Sequence, residues 1–315
     1  MDKKANTRLL DALHDHPLLG DGAMGTQLMI AGLEQGNCGE AWNLTQPARV
    51  LAIQRRYAEA GSDCILTNTF GGSRIMLNRH SHADHVVEIN QAAVQIAREA
   101  FGRRPGFVIG DIGPFGGLME PYGDFTEEQV RSAFDEQARA LVDAGADAII
   151  VETQTSLEEL LLGIQAAKEA GAPCIIGSMA YDVTLDGSTF RTMMGIDPER
   201  AAAFMTENGA DIVALNCGTG MDMVRARTAV ERYRKTTGLP VMVQPNAGQP
   251  KLISMKVVYD ETPEQMVCGV VPLLDAGANI LGACCGSTPA HIAAFRQAMD
   301  EYLHAKGKIH EDQTV

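Results

Sequence analysis

Three cysteines could do the most chemistry in this chain. Cys284 and Cys285 are adjacent in the string ILGACCGSTPAHI, and Cys217 ends the apolar run DIVALNC. Adjacent thiolates can hold one ion only where the backbone turns sharply, and Gly282 and Gly286 flank the pair as such a turn requires. No fourth cysteine or histidine stands beside them. Three thiolates without a fourth protein ligand make an open zinc site rather than a closed structural one. The free position is where a substrate would bind, so the implied chemistry is catalytic. Taken singly, each cysteine is better explained as a small buried apolar residue; three at two strand ends, with flanking glycines, favour one zinc ion per chain.

The other four cysteines carry no such pattern. Cys64 and Cys174 begin apolar runs, Cys268 falls in mid-helix and Cys38 in a loop. His80, His82 and His85 cluster at the start of a helix and read as a surface run.

Two acids and a glycine-rich turn suggest an amino-acid substrate. Asp21 and the turn Gly22, Ala23, Met24 lie in GDGAMGT, and Glu152 ends the apolar run AIIVE. Carboxylates suit an ammonium group, and free amides in a glycine-rich turn suit a carboxylate. The turn is no phosphate loop, because no Lys-Ser/Thr follows it. Each acid alone is equally well explained as a turn cap or a partner for a loop cation.

These residues need elements to bring them together. The strings AEAGSDC, VDAGADA, KEAGAPC, ENGADI and DAGANI repeat one pattern. Each reads as a helix ended by a left-handed glycine, a tight turn and a buried parallel strand. Capping-box spacings at Thr126–Gln129, Ser156–Glu159 and Thr262–Gln265 mark helix starts, and Thr288-Pro289 places a cap and first-turn proline directly after the cysteine pair. Eight apolar runs end near Asp21, Asn68, Asp111, Glu152, Ala180, Cys217, Asn246 and Cys284. The alternation predicts a single (β/α)8 TIM-type barrel with its site at the C-terminal strand ends. The expected barrel spans 1–304, with a polar tail at 305–315 and long irregular loops at 31–49, 112–125 and 181–197.

Composition narrows the function further. In 315 residues the formal charge is −14, and 45% of residues are apolar. An acidic surface without a basic cluster disfavours nucleic acid and anionic membranes. The N-terminus has no signal-peptide apolar stretch and no run reaches membrane-span length. A reducing cytoplasmic setting is expected, where grouped cysteines bind metal rather than form disulfides.

Taken together, GDGAMGTQL, AGSDCILTNTFGGSR, AIIVET, IVALNCG, VQPNAGQP and GACCGSTPAHI resemble the homocysteine S-methyltransferase family along nearly the whole chain. The resemblance implies a zinc-dependent methyltransferase that makes methionine, with zinc on Cys217, Cys284 and Cys285. Homocysteine would be held through Asp21, Glu152 and the Gly22–Met24 turn, and Asn68, ending strand two, is placed with these substrate-binding residues. Asn246, ending strand seven, is the expected fourth ligand when substrate is absent. One departure is visible: Gly282-Ala283 stands where the family usually has Gly-Gly.

The methyl donor is read from what is missing and what matches. A betaine or sulfonium donor is normally caged by aromatic rings. Here TNTF is followed by Gly71-Gly72 and Glu152 by Thr153, which leaves Trp42 alone. GDGAMGT, TNTF and PNAG most resemble the homocysteine module of cobalamin-dependent methionine synthase, which implies a methylcobalamin-type corrinoid on a separate partner protein. S-methylmethionine or a betaine-like compound is the alternative donor. A non-catalytic zinc-stabilised barrel would be expected to close its metal site. A dithiol oxidoreductase would normally carry Cys-x-x-Cys.

Overall fold

In a computed structural model, which describes residues 8–253 and 256–312, the eight expected strands form one parallel sheet. They are β1 (Leu18–Leu19), β2 (Cys64–Leu66), β3 (Phe107–Ile112), β4 (Ala148–Gln154), β5 (Ile175–Met179), β6 (Ile212–Asn216), β7 (Val241–Gln244) and β8 (Ile280–Leu281). The order β1-β8-β7-β6-β5-β4-β3-β2 is that of a (β/α)8 barrel, nearly closed. Between β1 and β2 the closure is made largely by side chains. Asp63 Oδ2 accepts from the Leu19 amide at 2.8 Å, and Asp21 Oδ2 accepts from the Leu66 amide at 2.9 Å. One backbone bond, Asp63 N–H to Leu19 O, joins them at 2.7 Å.

The helices that follow the strands are α1 (Pro47–Glu59), α2 (Val86–Phe101), α3 (Glu127–Asp143), α4 (Leu157–Glu169), α5 (Pro198–Glu207), α6 (Met223–Thr236), α7 (Val270–Asp275) and α8 (Pro289–Asp312). The helix ends are those the repeats predict. Gly61, Gly145, Gly171, Gly209 and Gly277 all have positive φ, a conformation that costs glycine little. The Thr126 and Thr262 capping boxes form, and Ser156 accepts from the Glu159 amide.

Strand periodicity divides the core in two. Leu18, Cys64, Ile109, Ile150, Ile176, Ala214 and Met242 fill the barrel interior, and the N-terminal helix Leu9–Asp15 plugs its lower end through Leu9. Their neighbours, among them Val108, Val151, Val213 and Val243, point outward under the helices. Each such side chain taken from water contributes roughly 2 kcal/mol. Above the apolar interior, the same parity turns Asp111, Glu152, Ser178, Asn216 and Gln244 inward, so the layer nearest the C-terminal mouth is polar and buried.

Several local readings are revised. The segment 181–197 holds an antiparallel hairpin, Asp182–Val183 with Phe190–Arg191, and a second hairpin pairs Lys251–Ile253 with Lys256–Val258. Within 31–49 lies the short helix Trp42–Thr45. Cys268 sits in a 3-10 turn, Val267–Gly269, because Gly269 and Pro272 interrupt the helical run. The expected boundary at 304 falls inside α8, which continues to Asp312.

Candidate metal centre

Cys217 directly follows β6, and Cys284 and Cys285 follow β8, so barrel closure brings them to the same mouth. Cys217 takes φ +56, unusual for a residue with a side chain, and Gly218 behind it has φ +89. A β-carbon at Gly218 would lie 1.8 Å from the Tyr181 carbonyl oxygen, so only glycine lets the chain turn there. At the other end Gly286 has φ +80, and Gly282 packs against the Gly20 backbone. Ala283 is buried and donates its amide to Asp21 O at 2.9 Å, so the Ala in place of the second glycine is accommodated.

The three sulfurs form a cluster. Sγ of Cys217 lies 4.0 Å from that of Cys285, Cys284 and Cys285 are 3.9 Å apart, and all three lie within 4.8 Å of one another. Thiolates about 2.3 Å from a tetrahedral zinc ion stand roughly 3.8 Å apart, so the set fits that ion with little movement. Hydrogen bonds from Cys284, and then Cys285, hold the Cys217 thiol well below its ordinary range, while sharing with Cys217 pushes the other two up.

Asn246 stands beside the cluster. Its Nδ2 donates to Gly218 O at 3.1 Å, and its side chain also bonds to Cys217. Its Oδ1 is buried without a partner. A buried amide oxygen without a partner is an acceptor with no use in the protein alone. Tyr259, which sequence reading did not single out, lies beside the Cys285 thiol from the segment after the second hairpin.

The two acids are at the same mouth. Glu152 is buried; burial, then the charge of Cys217 and of Asp21, raises it from the usual glutamate range to about 8. Asp21, raised by burial to about 7, uses one oxygen in the β1–β2 closure. A relay missed from sequence fixes Glu152. Ser178 donates to Asn216 Oδ1 at 2.7 Å, the same oxygen accepts from the Thr153 amide at 3.1 Å, and Asn216 Nδ2 donates to Thr153 Oγ1 at 2.7 Å. Thr153 in turn lies beside the Glu152 carboxyl and favours its charged form against burial. Thr153 sits at φ +58 where β4 loses its register with β5, so the bulge and the relay present the acid together. Asn216 is signalled in IVALNCG by its place before Cys217 and by strand parity.

The Ala23 amide is taken by Ser287 Oγ at 2.9 Å, whose hydroxyl also donates to Cys284 O at 2.7 Å. The glycine-rich turn therefore offers the Gly22 and Met24 amides and ties itself to the cysteine turn. Asn68 is buried with its Nδ2 on Gly39 O and Asn43 Oδ1, so its amide nitrogen anchors the loop after β1. Trp42 packs under the Arg49 guanidinium, 5.2 Å from the ring centre, and acts as a packing residue.

Burying a carboxylate predicts an unusual stability effect. The folded protein keeps Glu152 protonated up to about pH 8, whereas the unfolded chain releases that proton in the ordinary glutamate range near 4.5. The folded state binds the extra proton, so this group's contribution to stability falls as pH rises through that interval. In chelator-treated protein, Glu152→Gln is expected to raise Tm by several degrees at about pH 8 and by far less at about pH 5. Calorimetry at the two pH values checks this; an equal shift at both would show that charge burial is not the cause.

Among the described residues, no helix is long and apolar enough to cross a membrane. In comparison with known proteins, the chain is 33% identical to methionine synthase of Mycobacterium tuberculosis, over 98% of this chain and 27% of the relative. It is 32% identical to methionine synthase of Mycobacterium leprae, over 93% and 25%. It thus spans about a quarter of the length of these relatives. The metallated form of the homocysteine methyltransferase MmuM of Escherichia coli shares the fold, with a TM-score of 0.74 at 22% identity, covering 91% of this chain and 99% of that one. Residues 18–299 match the homocysteine S-methyltransferase family, and with that match over nearly the whole barrel the chain belongs to this family of enzymes.

Proposed function

We propose that the protein transfers a methyl group to the sulfur of homocysteine to give methionine, in a zinc-dependent reaction in the cytoplasm, with a methylated corrinoid protein as donor. The observation that carries this reading is the cluster of Cys217, Cys284 and Cys285 sulfurs opening onto the mouth that Glu152 and Asp21 line. Zinc on those sulfurs would hold the acceptor as a thiolate at neutral pH, where a free thiol is mostly protonated. Asn246, whose side chain lies beside Cys217 and whose Oδ1 has no partner, would serve as fourth ligand until the acceptor arrives. Glu152 and Asp21 take the acceptor's ammonium, and the Gly22 and Met24 amides take its carboxylate. In the transfer the sulfur–carbon bond forms as the methyl–cobalt bond breaks. The donor would keep the electron pair of the bond that breaks, and the thiol proton would pass to solvent.

The donor reading is supported by the surface around the mouth. Ile30, Phe70, Leu118, Tyr122, Leu185 and Met193 are exposed on the loops that follow β1, β2, β3 and β5. Exposed apolar side chains gathered at one end of a barrel suit a docking partner better than a small free donor. Zinc-loaded protein with homocysteine is expected to form methionine from methylcobalamin, followed by mass spectrometry and by loss of the methylcobalamin spectrum. Faster turnover on S-methylmethionine or a betaine would replace the donor. No methionine from any of the three would overturn the acceptor as well.

A further inference from the structure

Asp111 is a buried acid of the barrel's polar layer that the proposed function leaves unused. It lies on β3 two residues beyond Ile109, which faces the barrel interior, and Glu152 lies two residues beyond Ile150 on the adjacent strand. Parity therefore turns both carboxyls into the same polar layer. Asp111 is 5% exposed. Its backbone is fully engaged: the amide donates to Thr67 Oγ1 at 2.9 Å, and the carbonyl accepts from Thr69 Oγ1 at 2.6 Å and Gln137 Nε2 at 3.2 Å. Its side-chain Oδ1, by contrast, is buried with no partner.

Three carboxyls, Asp21, Asp111 and Glu152, thus share one enclosed layer. Among the described residues no arginine, lysine or histidine forms an ion pair with any of them. Protonation would remove the charge of Asp111 but leave its hydrogen-bonding capacity unmet, because a buried polar group without a partner is costly in either state. A ligand that brings several N–H donors and a positive charge resolves both problems. An ammonium group has three donors and is the natural complement of a cage of acceptors.

We infer that Asp111 is a third carboxyl contact of the acceptor's ammonium group and that it selects α-amino thiols over thiols lacking the amine. The inference rests on the acceptor proposed above. A site built to satisfy a substrate's donors rejects an analogue without them, because its own acceptors are then left buried and unpaired.

The test uses cobalt(II)-loaded protein, in which the sulfur-to-cobalt absorption reports binding without turnover. Wild type and Asp111→Asn are titrated with homocysteine and with 4-sulfanylbutanoate, the same thiol acid without the amine. The substitution is expected to weaken homocysteine about tenfold or more and to leave 4-sulfanylbutanoate within about twofold. Equal weakening of both thiols would show a distorted barrel mouth, and no weakening of either would show an idle carboxyl; each overturns the inference. If wild-type protein brings neither thiol to cobalt, the acceptor reading itself fails, which is a separate outcome. Asp111→Ser, which removes the carboxyl with less bulk, is held to the same result should the asparagine variant not fold.

Discussion

Cys217→Ser is expected to strip the cluster of stoichiometric zinc and to lower methyl transfer to homocysteine by about 10³-fold or more, with the barrel still folded. Cys217 is the only sulfur that comes from β6; Cys284 and Cys285 share one turn after β8. Two sulfurs from a single turn leave half a tetrahedron open, and a serine hydroxyl stays protonated where a thiol does not. Metal affinity and acceptor activation are lost together, because the same ion would supply both. The fold has less at stake: Cys217 lies at the barrel mouth, partly exposed, and belongs to neither main apolar cluster. Elemental analysis, calorimetry and the methionine assay on one preparation check all three statements. Full zinc content with near-normal turnover would remove the basis of the proposed function.

Asn216→Ala is expected to cost about 3 kcal/mol of stability and to lower kcat/KM by about 10²-fold while zinc is largely retained. The side chain is buried and makes three hydrogen bonds, two of them to Thr153. Without it the Thr153 amide and hydroxyl lose their partners inside the barrel, at a residue already held at φ +58. Thr153 would relax toward ordinary backbone, and Glu152 would swing with it. The variant Asn216→Asp separates packing from direction. It keeps the acceptor for Ser178 and the Thr153 amide but cannot donate to Thr153 Oγ1. Its stability is expected to lie between wild type and Asn216→Ala, with the rise concentrated in KM for homocysteine. If Asn216→Ala matched wild type in both melting and KM, the relay would have no part in presenting Glu152.

Glu152→Gln belongs beside these two. A substitution expected to stabilise the chelated protein while weakening acceptor binding is the mark of a residue retained for function against its own burial cost.

Much of this was legible in the chain because the signals are local. Helix ends carry glycine since only positive φ lets the chain reverse there, so Gly61, Gly145, Gly171, Gly209 and Gly277 announced five of the connections before any strand was paired. Apolar runs between them fixed strand number, and strand number with alternation fixed the barrel. The cysteines stood out by type and flanking glycine. What the chain could not announce was partners remote in sequence: Ser287 takes the Ala23 amide, and Gly39 and Asn43 take the Asn68 amide nitrogen. The hairpins after β5 and β7 likewise depend on pairing between segments that no local period announces.

The sequence by itself determined which strands end in sulfur and which in acid, because residue type and period are properties of the chain alone. Only the tertiary structure decided that Cys217 meets Cys284 and Cys285 within 4.8 Å, that Asn216 links Ser178 to Thr153, and that Asp111 Oδ1 is left without a partner. Those facts depend on barrel closure, which sets distances between strands far apart in sequence, and on burial, which takes from a carboxyl oxygen the water that would otherwise satisfy it.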